Sequence, residues 1–181
     1  MEEQRLTKLK ELVKTNIASY PDFPKPGILF RDIFSVLKNP EAFHALQELL
    51  SSRLSNLNPK PDVITALESR GFLFGPALAL QLKLPFVPIR KRGKLPGKLH
   101  SVTYSLEYGN DTIEIQESSI GKGQNVVIID DLLATGGTLG AACSLIEKCG
   151  ANVLECIVVI ELLDLKGRDG IHHPIHSLIQ F

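Results

Sequence analysis

Two adjacent carboxylates, Asp130 and Asp131, precede a turn of small residues. The turn consists of Ala134, Thr135, Gly136, Gly137 and Thr138. A glycine turn that opens a helix presents main-chain N–H groups without intrahelical acceptors, and these bind phosphate together with the helix dipole. The hydroxyl groups of Thr135 and Thr138 are further donors. These residue types therefore predict an anion site with two acids beside it.

The two acids restrict what the rest of the ligand can be. They would repel a second phosphate group, so the neighbouring part of the ligand must be neutral or carry a metal ion. A ribose fits, since carboxylates accept hydrogen bonds from hydroxyls and help to hold a divalent cation. The pattern predicts a ribose 5-phosphate, its phosphate on residues 134–138 and its 2- and 3-hydroxyls on Asp130 and Asp131. In the alternative interpretation, the acids and glycines only cap a helix and close a loop.

The flanking elements agree with such a site. Val126–Ile129 is an unbroken β-branched run, typical of a strand buried on both faces. A helical pattern of apolar residues follows the turn from Leu139 to Cys149. The turn lacks the lysine of a Walker A loop and the spacing of a dinucleotide-binding glycine motif, which argues against both of those phosphate sites.

A second turn from strand to helix, Glu68-Ser69-Arg70-Gly71, follows a predicted strand at 62–67 and opens a predicted helix at 70–82. Arg70 is placed where a guanidinium can bind pyrophosphate with two parallel hydrogen bonds. An ordinary surface arginine is the alternative interpretation. The turn therefore predicts a cation next to the anion site.

A third apolar stretch, at 86–90, runs into a basic segment at 90–98 that carries five cations. Such a charge run is often only a solvated loop. Next to an anion site, mobile lysines could instead close over an anionic leaving group and exclude water.

The order of the elements predicts an α/β fold with a mainly parallel twisted sheet flanked by helices. The predicted parallel strands lie near 62–67, 86–90, 125–130 and 152–160. We expect the candidate site residues just past the carboxyl ends of these strands, where open α/β sheets bind ligands.

Two further segments are additions to this sheet. Residues 101–116 alternate in polarity on both sides of Gly109-Asn110, which predicts an antiparallel hairpin with a two-residue turn. An amphipathic helix at 3–18 leads into the proline-rich segment Pro21–Gly27, which we expect to lack regular structure.

Composition limits the class of protein. The 181 residues predict a single domain, and 20 basic residues balance 20 acidic ones, so nucleic acid and membranes are not expected partners. No apolar run approaches the ~20 residues of a membrane helix. The three cysteines, Cys143, Cys149 and Cys156, lack metal-type spacing, and the charged first residues do not resemble a secretory signal. We expect reduced thiols and a cytoplasmic protein.

Residues 126–138 are similar to the phosphoribosyl pyrophosphate (PRPP) motif of the type I phosphoribosyltransferases. Further segments resemble the adenine-specific members of that family: Tyr20–Gly27, Phe30–Ile33, Glu68–Phe72, Arg90–Gly97 and Tyr104–Gly109. The resemblance begins at about residue 5 and reaches the C-terminus. It implies the type I phosphoribosyltransferase fold.

In that fold, residues 1–35 would form an N-terminal helix and a hood over the base. Residues 60–165 would form the core sheet, with a flexible loop at about 91–112. The resemblance further implies a purine salvage enzyme that transfers the phosphoribosyl group of PRPP to adenine, giving AMP and pyrophosphate. Mg²⁺ would be carried by PRPP near Asp130 and Asp131 without a dedicated protein site, and the protein would be a homodimer.

The resemblance also assigns individual roles. Ser69, Arg70 and Lys91 would contact the pyrophosphate, and Glu107 would be a general acid near N7 of the purine. Adenine would contact a set of mostly apolar residues: Leu29 through its backbone, Phe30 by stacking, Arg31 nearby, and Leu162.

Two other functions share part of this pattern. A phosphoribosyltransferase for hypoxanthine, guanine or orotate would keep residues 125–138 and differ in the hood and at 161–168. A non-catalytic module that senses PRPP or nucleotides would also keep the phosphate turn. Such a module could dispense with Arg70, the basic segment and Glu107, all of which are present.

Overall fold

The structure, a computed structural model, describes residues Glu2–Ser105 and Gly109–Phe181. The chain divides into two compact units, of which the first ends at Arg53 and the second begins at Leu54. Within the described ranges, no helix has the length and apolar character needed to cross a membrane.

The first unit combines helices with a small antiparallel sheet. Its elements are α1 (Glu2–Thr15), β1 (Ala18–Pro21), β2 (Leu29–Asp32), α2 (Phe34–Lys38) and α3 (Pro40–Ser55), the last of which continues into the second unit. The expectation that Pro21 begins an irregular segment was wrong, because Pro21 pairs with Leu29 in this sheet. A two-stranded sheet accepts proline, since both of its strands are edge strands.

The second unit is built on a seven-stranded sheet. Its strands are β3 (Val63–Leu67), β4 (Phe86–Lys91), β5 (Leu99–Ser105), β6 (Asn110–Gln116), β7 (Asn125–Leu133), β8 (Asn152–Glu161) and β9 (Ile175–Gln180). Their order is β5-β6-β4-β3-β7-β8-β9. The strands from β4 to β9 in this order are parallel, whereas β6 pairs antiparallel with both β4 and β5. The predicted α/β class with a mainly parallel sheet and an antiparallel hairpin is confirmed.

The hairpin differs from the prediction at its turn. Asn110 pairs with Ser105, so Asn110 belongs to β6 and the predicted two-residue turn at Gly109-Asn110 was wrong. Through β6 the hairpin extends the main sheet at the edge of β4.

The helices of the second unit are α4 (Gly75–Leu82) and α5 (Gly137–Lys148), with short 3₁₀ helices at Arg70–Leu73, Leu163–Leu165 and Gly167–Gly170. The predicted continuous helix at 70–82 was wrong, since a 3₁₀ turn precedes α4. Pro76 stands in the first turn of α4, where a missing N–H is tolerated but the same residue inside a helix is not.

The central strands form the core because helices cover both faces of the sheet. All five residues of β3 are buried, and so are Val126–Ile129 in β7, as their continuous apolar sequence predicts. Cys143 and Cys156 are buried free thiols whose Sγ atoms lie 3.5 Å apart, and Cys149 is a partly buried free thiol.

The sheet order identifies the place where a ligand fits. The chain moves from β3 to β4 on one side, and from β7 through β8 to β9 on the other. Open α/β sheets have a crevice where the direction of winding reverses, at the carboxyl ends of the strands. In this sheet that crevice lies between the ends of β3 and β7, which carry the two turns singled out in the sequence.

Candidate active site

The turns that follow β3 and β7 pack directly against each other. Ala66 pairs with Ile129, which brings the Glu68–Gly71 turn beside the acids of β7. A β-carbon built on Gly71 would lie 2.7 Å from the carbonyl oxygen of Ile129 and 3.4 Å from Oδ1 of Asp130. A larger residue would therefore separate the two turns.

We had expected Asp130 and Asp131 just past the end of β7, but both lie within the strand. The strand continues to Leu133, which pairs with Glu161 of β8. Although successive strand residues point to opposite faces, the two side chains are close enough for the charge of Asp131 to act on Asp130. Asp131 is buried, at 5% exposure, and Asp130 is partly exposed.

Arg70 forms an ion pair with the buried acid. Its Nε lies 2.9 Å from Oδ2 of Asp131. The sequence identified these two residues separately, and the fold brings them together. Since a guanidinium carries five N–H donors, a contact through Nε allows the terminal amino groups to bind a second anion.

The local environment makes the acids unusually basic. Although part of the Asp130 surface is exposed, desolvation by the protein around its carboxyl raises its pKa well above the usual range, and the charge of Asp131 raises it further. Burial also raises the pKa of Asp131, while the neighbouring Arg70 opposes that shift. A ligand that supplies hydroxyl donors or a cation would therefore stabilise the ionised pair.

The turn at Ala134–Thr138, called the phosphate turn for its predicted ligand, has the backbone geometry that its glycines predict. Gly136 has φ +85° and stands at the N-cap of α5, where its carbonyl oxygen accepts the N–H of Gly140 at 2.9 Å. The N–H groups of the first helical turn have no acceptor within an α-helix, so they are suited to an anion.

The sequence did not reveal that this turn lies against Gly167. A β-carbon on Gly136 would be 2.1 Å from the carbonyl oxygen of Gly167, and one on Gly167 would be 2.1 Å from that of Ala134. The only sequence signal for this contact was Gly167 itself, a glycine within a short polar segment. Without the fold, such a glycine does not indicate which part of the chain it contacts.

A chain of side-chain contacts connects the phosphate turn to Lys91. Thr138 Oγ1 donates to the Tyr104 hydroxyl at 3.3 Å, and Tyr104 lies 3.4 Å from Oδ2 of Asp111. Nζ of Lys91 is 3.2 Å from the same carboxylate oxygen. Tyr104 and Asp111 were missed as site residues, because only the strand pairing of β5 with β6 places them together.

The basic segment is not a uniform group of mobile cations. Arg90 donates from Nε and Nη2 to the two carboxylate oxygens of Glu68 at 3.1 and 3.0 Å, and the N–H of Lys91 donates to Glu68 at 3.1 Å. The hydrogen bonds from Arg90 lower the pKa of Glu68. Glu68 thus links the first turn to the end of β4, a contact that the sequence did not indicate.

The other predicted residues occupy separate places. Ser69 is the N-cap residue of the 3₁₀ helix that begins at Arg70, and the Glu68–Ser69 peptide is cis. Leu162 follows β8 directly, and its N–H donates to the carbonyl oxygen of Leu133 at 3.0 Å. Glu107 lies outside the described residues.

The residues predicted to contact the base from the hood lie in β2 of the first unit. Leu29 is 48% exposed, Phe30 packs edge to face with Phe23 at a ring distance of 5.1 Å, and Nη1 of Arg31 donates to Ser19 at 2.6 Å. Their roles stay predictions.

The family model of the phosphoribosyl transferase domain matches residues 33–174 of the chain. This match includes both turns and every parallel strand of the sheet except β9, which begins at Ile175. The fold and the two turns therefore indicate the same class of protein as the family model, the phosphoribosyltransferases.

Characterised relatives narrow the class. The adenine phosphoribosyltransferase of Mastomys natalensis is 53% identical over 173 residues, 94% of this chain and 96% of the relative. The crystal structure of the Saccharomyces cerevisiae adenine phosphoribosyltransferase, complexed with an imino-altritol bisphosphate and adenine, has a TM-score of 0.90 and 45% identity, and the match covers 96% of this chain and 99% of the other. The chain belongs to the adenine phosphoribosyltransferase family.

A third relative was solved with phosphorylated ligands. The Trypanosoma brucei adenine phosphoribosyl transferase, in complex with AMP, pyrophosphate and ribose-5-phosphate, has a TM-score of 0.88 and 30% identity, and the match covers 95% of this chain and 79% of that one.

A matched pair of glycine substitutions tests the phosphate turn. Gly136→Ala places a β-carbon against Gly167, whereas Gly123→Ala has the same kind of backbone, φ +79°, and no atom within 4 Å. We expect Gly136→Ala to weaken binding of ribose 5-phosphate by about tenfold or more, since displacement of the turn removes aligned donors. Gly123→Ala should lose only ~1 kcal/mol of stability, the cost of a left-handed backbone, and keep its affinity for ribose 5-phosphate. Calorimetric titration measures both, and equal affinities in the two variants would contradict the assigned turn.

The pKa directions predict a stabilising substitution at the site. Asp130 has a higher pKa when folded than when unfolded, so its contribution to the free energy of unfolding falls as the pH rises through that interval. Asp130→Asn removes this penalty and keeps an acceptor for the N–H of Asp131, now 2.9 Å from Oδ1. We expect the variant to melt above the wild type by roughly 2–4 °C at about pH 8 and by less at about pH 5, in the absence of ligand.

Asp131→Asn is the control for that measurement. It removes the ion pair with Arg70, so it should not give the same gain. A melting temperature for Asp130→Asn that equals the wild-type value at both pH values would show that the two acids do not destabilise each other.

Proposed function

We propose that this protein transfers the phosphoribosyl group of PRPP to adenine, giving AMP and pyrophosphate in purine salvage. The observation that carries the proposal is the arrangement at the crevice of the sheet. Two adjacent acids lie near the end of β7, the turn proposed to bind phosphate follows that strand, and an arginine from the neighbouring turn is paired with one of the acids. The relatives named above, all adenine phosphoribosyltransferases, support adenine as the base.

The 5-phosphate of PRPP is anchored at Ala134–Thr138, where Thr135 and Thr138 add hydroxyl donors to the main-chain N–H groups of Gly136 and Gly137. The ribose 2- and 3-hydroxyls donate to Asp130 and Asp131. This holds the anomeric carbon in a fixed position, and fixed geometry is a large part of catalysis in group transfer. The negative field of the two acids also favours the positive charge that develops on the sugar as pyrophosphate departs.

The leaving pyrophosphate contacts Ser69, Arg70 and Lys91. The side chain of Arg70 is 31% exposed and its Nε lies 2.9 Å from Oδ2 of Asp131, which supports a role for its terminal amino groups. Lys91 is 59% exposed and held by Asp111, a single surface-type ion pair that a polyphosphate can outcompete.

Mg²⁺ fits this donor set. It prefers oxygen ligands, keeps several waters, and is usually held by one or two carboxylates together with substrate phosphates. PRPP would carry the ion near Asp130 and Asp131, and the ion would neutralise charge on the diphosphate. A dedicated protein site is not required for this role.

The base contacts and the acid are proposed from the resemblance of their sequence segments to the family. Leu29, Phe30 and Arg31 receive the adenine from the hood, with Phe30 supplying a flat aromatic face. Leu162 contacts the base from the end of β8, and Glu107 donates the proton near N7. We further propose a homodimer in the cytoplasm, the latter in keeping with three free thiols.

Pyrophosphate release separates the candidate functions. The protein is incubated with Mg-PRPP and one base at a time: adenine, hypoxanthine, guanine or orotate. Release with adenine alone is the expected result. Release only with another base would assign the protein to that base, and PRPP binding without release would indicate a sensing module.

Asp131→Asn is the matched variant for this assay. It has nearly the same shape as the wild type but loses the charged acceptor for the ribose and the partner of Arg70. We expect kcat/KM for PRPP to fall by ~10²-fold or more. Wild-type turnover in this variant would remove the ribose contact from the mechanism.

A further inference from the structure

The segment that follows β8 packs against the phosphate turn through its backbone. Gly167 is buried, and a β-carbon on it would lie 2.1 Å from the carbonyl oxygen of Ala134 and 2.9 Å from the amide nitrogen of Gly136. Gly136 in turn has no space for a β-carbon on that side. The shape of the turn therefore depends on where the backbone of Gly167 is held.

The residue next to Gly167 is fixed by a buried acid. Arg168 donates from Nε to Oε1 of Glu161 at 2.9 Å and from Nη2 to Oε2 at 2.7 Å, the parallel arrangement that gives the strongest charge-assisted pairing. Nη1 of Arg168 also donates to the carbonyl oxygen of Ile175 at 3.1 Å. The guanidinium is thus tied to β8 and to the start of β9.

The acid of this pair cannot easily move. Glu161 is 3% exposed, and its Oε2 also accepts hydrogen bonds from Ser177 at 2.5 Å and from Gln180 at 3.0 Å. Its backbone pairs with Leu133 on one side and Gln180 on the other. The hydrogen bonds from Arg168 lower the pKa of Glu161 to about 2, so the pair stays charged at any pH at which the protein is used. A buried acid that loses its cation is strongly unfavourable, which keeps Arg168 in place.

We propose that Glu161 and Arg168 are positioning residues for the reaction, because they hold Gly167 against Ala134 and Gly136 and thereby set the shape of the 5-phosphate turn. Neither side chain needs to touch the substrate in this role. The proposal rests on the proposed function of residues 134–138 as the phosphate site. It adds a second support for the turn, besides the N-terminus of α5.

Three variants test the proposal in the full-length protein. Arg168→Met removes the charge and the parallel hydrogen bonds to Glu161. Arg168→Lys keeps the charge but cannot form both parallel hydrogen bonds. Gln180→Met is the control, since it removes hydrogen bonds to the same acid and to Ser177 without changing Arg168. The readouts are the dissociation constant for ribose 5-phosphate by calorimetry, the melting temperature, and KM and kcat for PRPP.

We expect Arg168→Met to weaken ribose 5-phosphate about tenfold and to raise the KM for PRPP by a similar factor, with kcat changed by less than about twofold, because it removes anchoring that ground and transition states share. Arg168→Lys should fall between this variant and the wild type. Gln180→Met should lower the melting temperature and leave the affinity unchanged.

A folded Arg168→Met protein with wild-type affinity would overturn the proposal. If that variant does not fold, Arg168→Lys decides in the same way, since its wild-type affinity would also overturn the proposal. A tenfold loss in Gln180→Met would do so as well, because the effect would then follow stability and not the position of Gly167. Ribose 5-phosphate binding requires no turnover, so a wild-type protein that binds it but releases no pyrophosphate with adenine would refute the proposed function alone.

Discussion

Two adjacent acids near the end of one buried strand are unfavourable in an empty protein, and the site is built around that constraint. Desolvation and mutual repulsion both raise the pKa of Asp130, and the single guanidinium of Arg70, paired with Asp131, opposes this shift without removing it. A ligand with hydroxyl donors or a bound cation relieves the strain, whereas one with a second phosphate at the same place would increase it. The charge at this position therefore disfavours a second phosphate group.

The topology makes this arrangement possible without long loops. Because the winding of the sheet reverses between β3 and β7, the turns after these strands face one crevice, and glycine at position 71 lets them touch. The ion pairs around these two turns differ in strength. Glu161–Arg168 and Glu68–Arg90 are forked pairs that hold backbone, whereas Lys91–Asp111 is a single contact at an exposed side chain. Glu161–Arg168 lies next to the proposed 5-phosphate turn, whereas Glu68–Arg90 and the weaker Lys91–Asp111 lie where the leaving group is expected.

Much of this arrangement could be predicted from the sequence, because the residues that form it are consecutive in the chain. The buried run Val126–Ile129, the two acids and the glycine turn are consecutive, so strand, helix start and anion site could be predicted from spacing alone. The parallel sheet followed from the order of such elements. The extension of β7 to Leu133 was missed, because it depends on pairing with β8 and not on local residue preference.

The missed residues share a different property. Gly167, Tyr104 and Asp111 come to the site only through strand pairing or through a loop that returns from β8, and none carries a distinctive local pattern. Arg90 was counted with the mobile cations, since its partner Glu68 is 22 residues away in the chain. Long-range partners of this kind decide which charges are structural and which are available to a ligand.

The most direct test of the account is a thermodynamic cycle on ribose binding. Ribose 5-phosphate and 2-deoxyribose 5-phosphate are titrated calorimetrically into the wild type and into the Asp130→Asn/Asp131→Asn double variant. If the carboxylates accept the ribose hydroxyls, loss of the 2-hydroxyl should weaken binding to the wild type by about tenfold and should have much less effect in the double variant. Equal losses in both proteins would show that the acids and the hydroxyls do not interact, and would contradict the central claim.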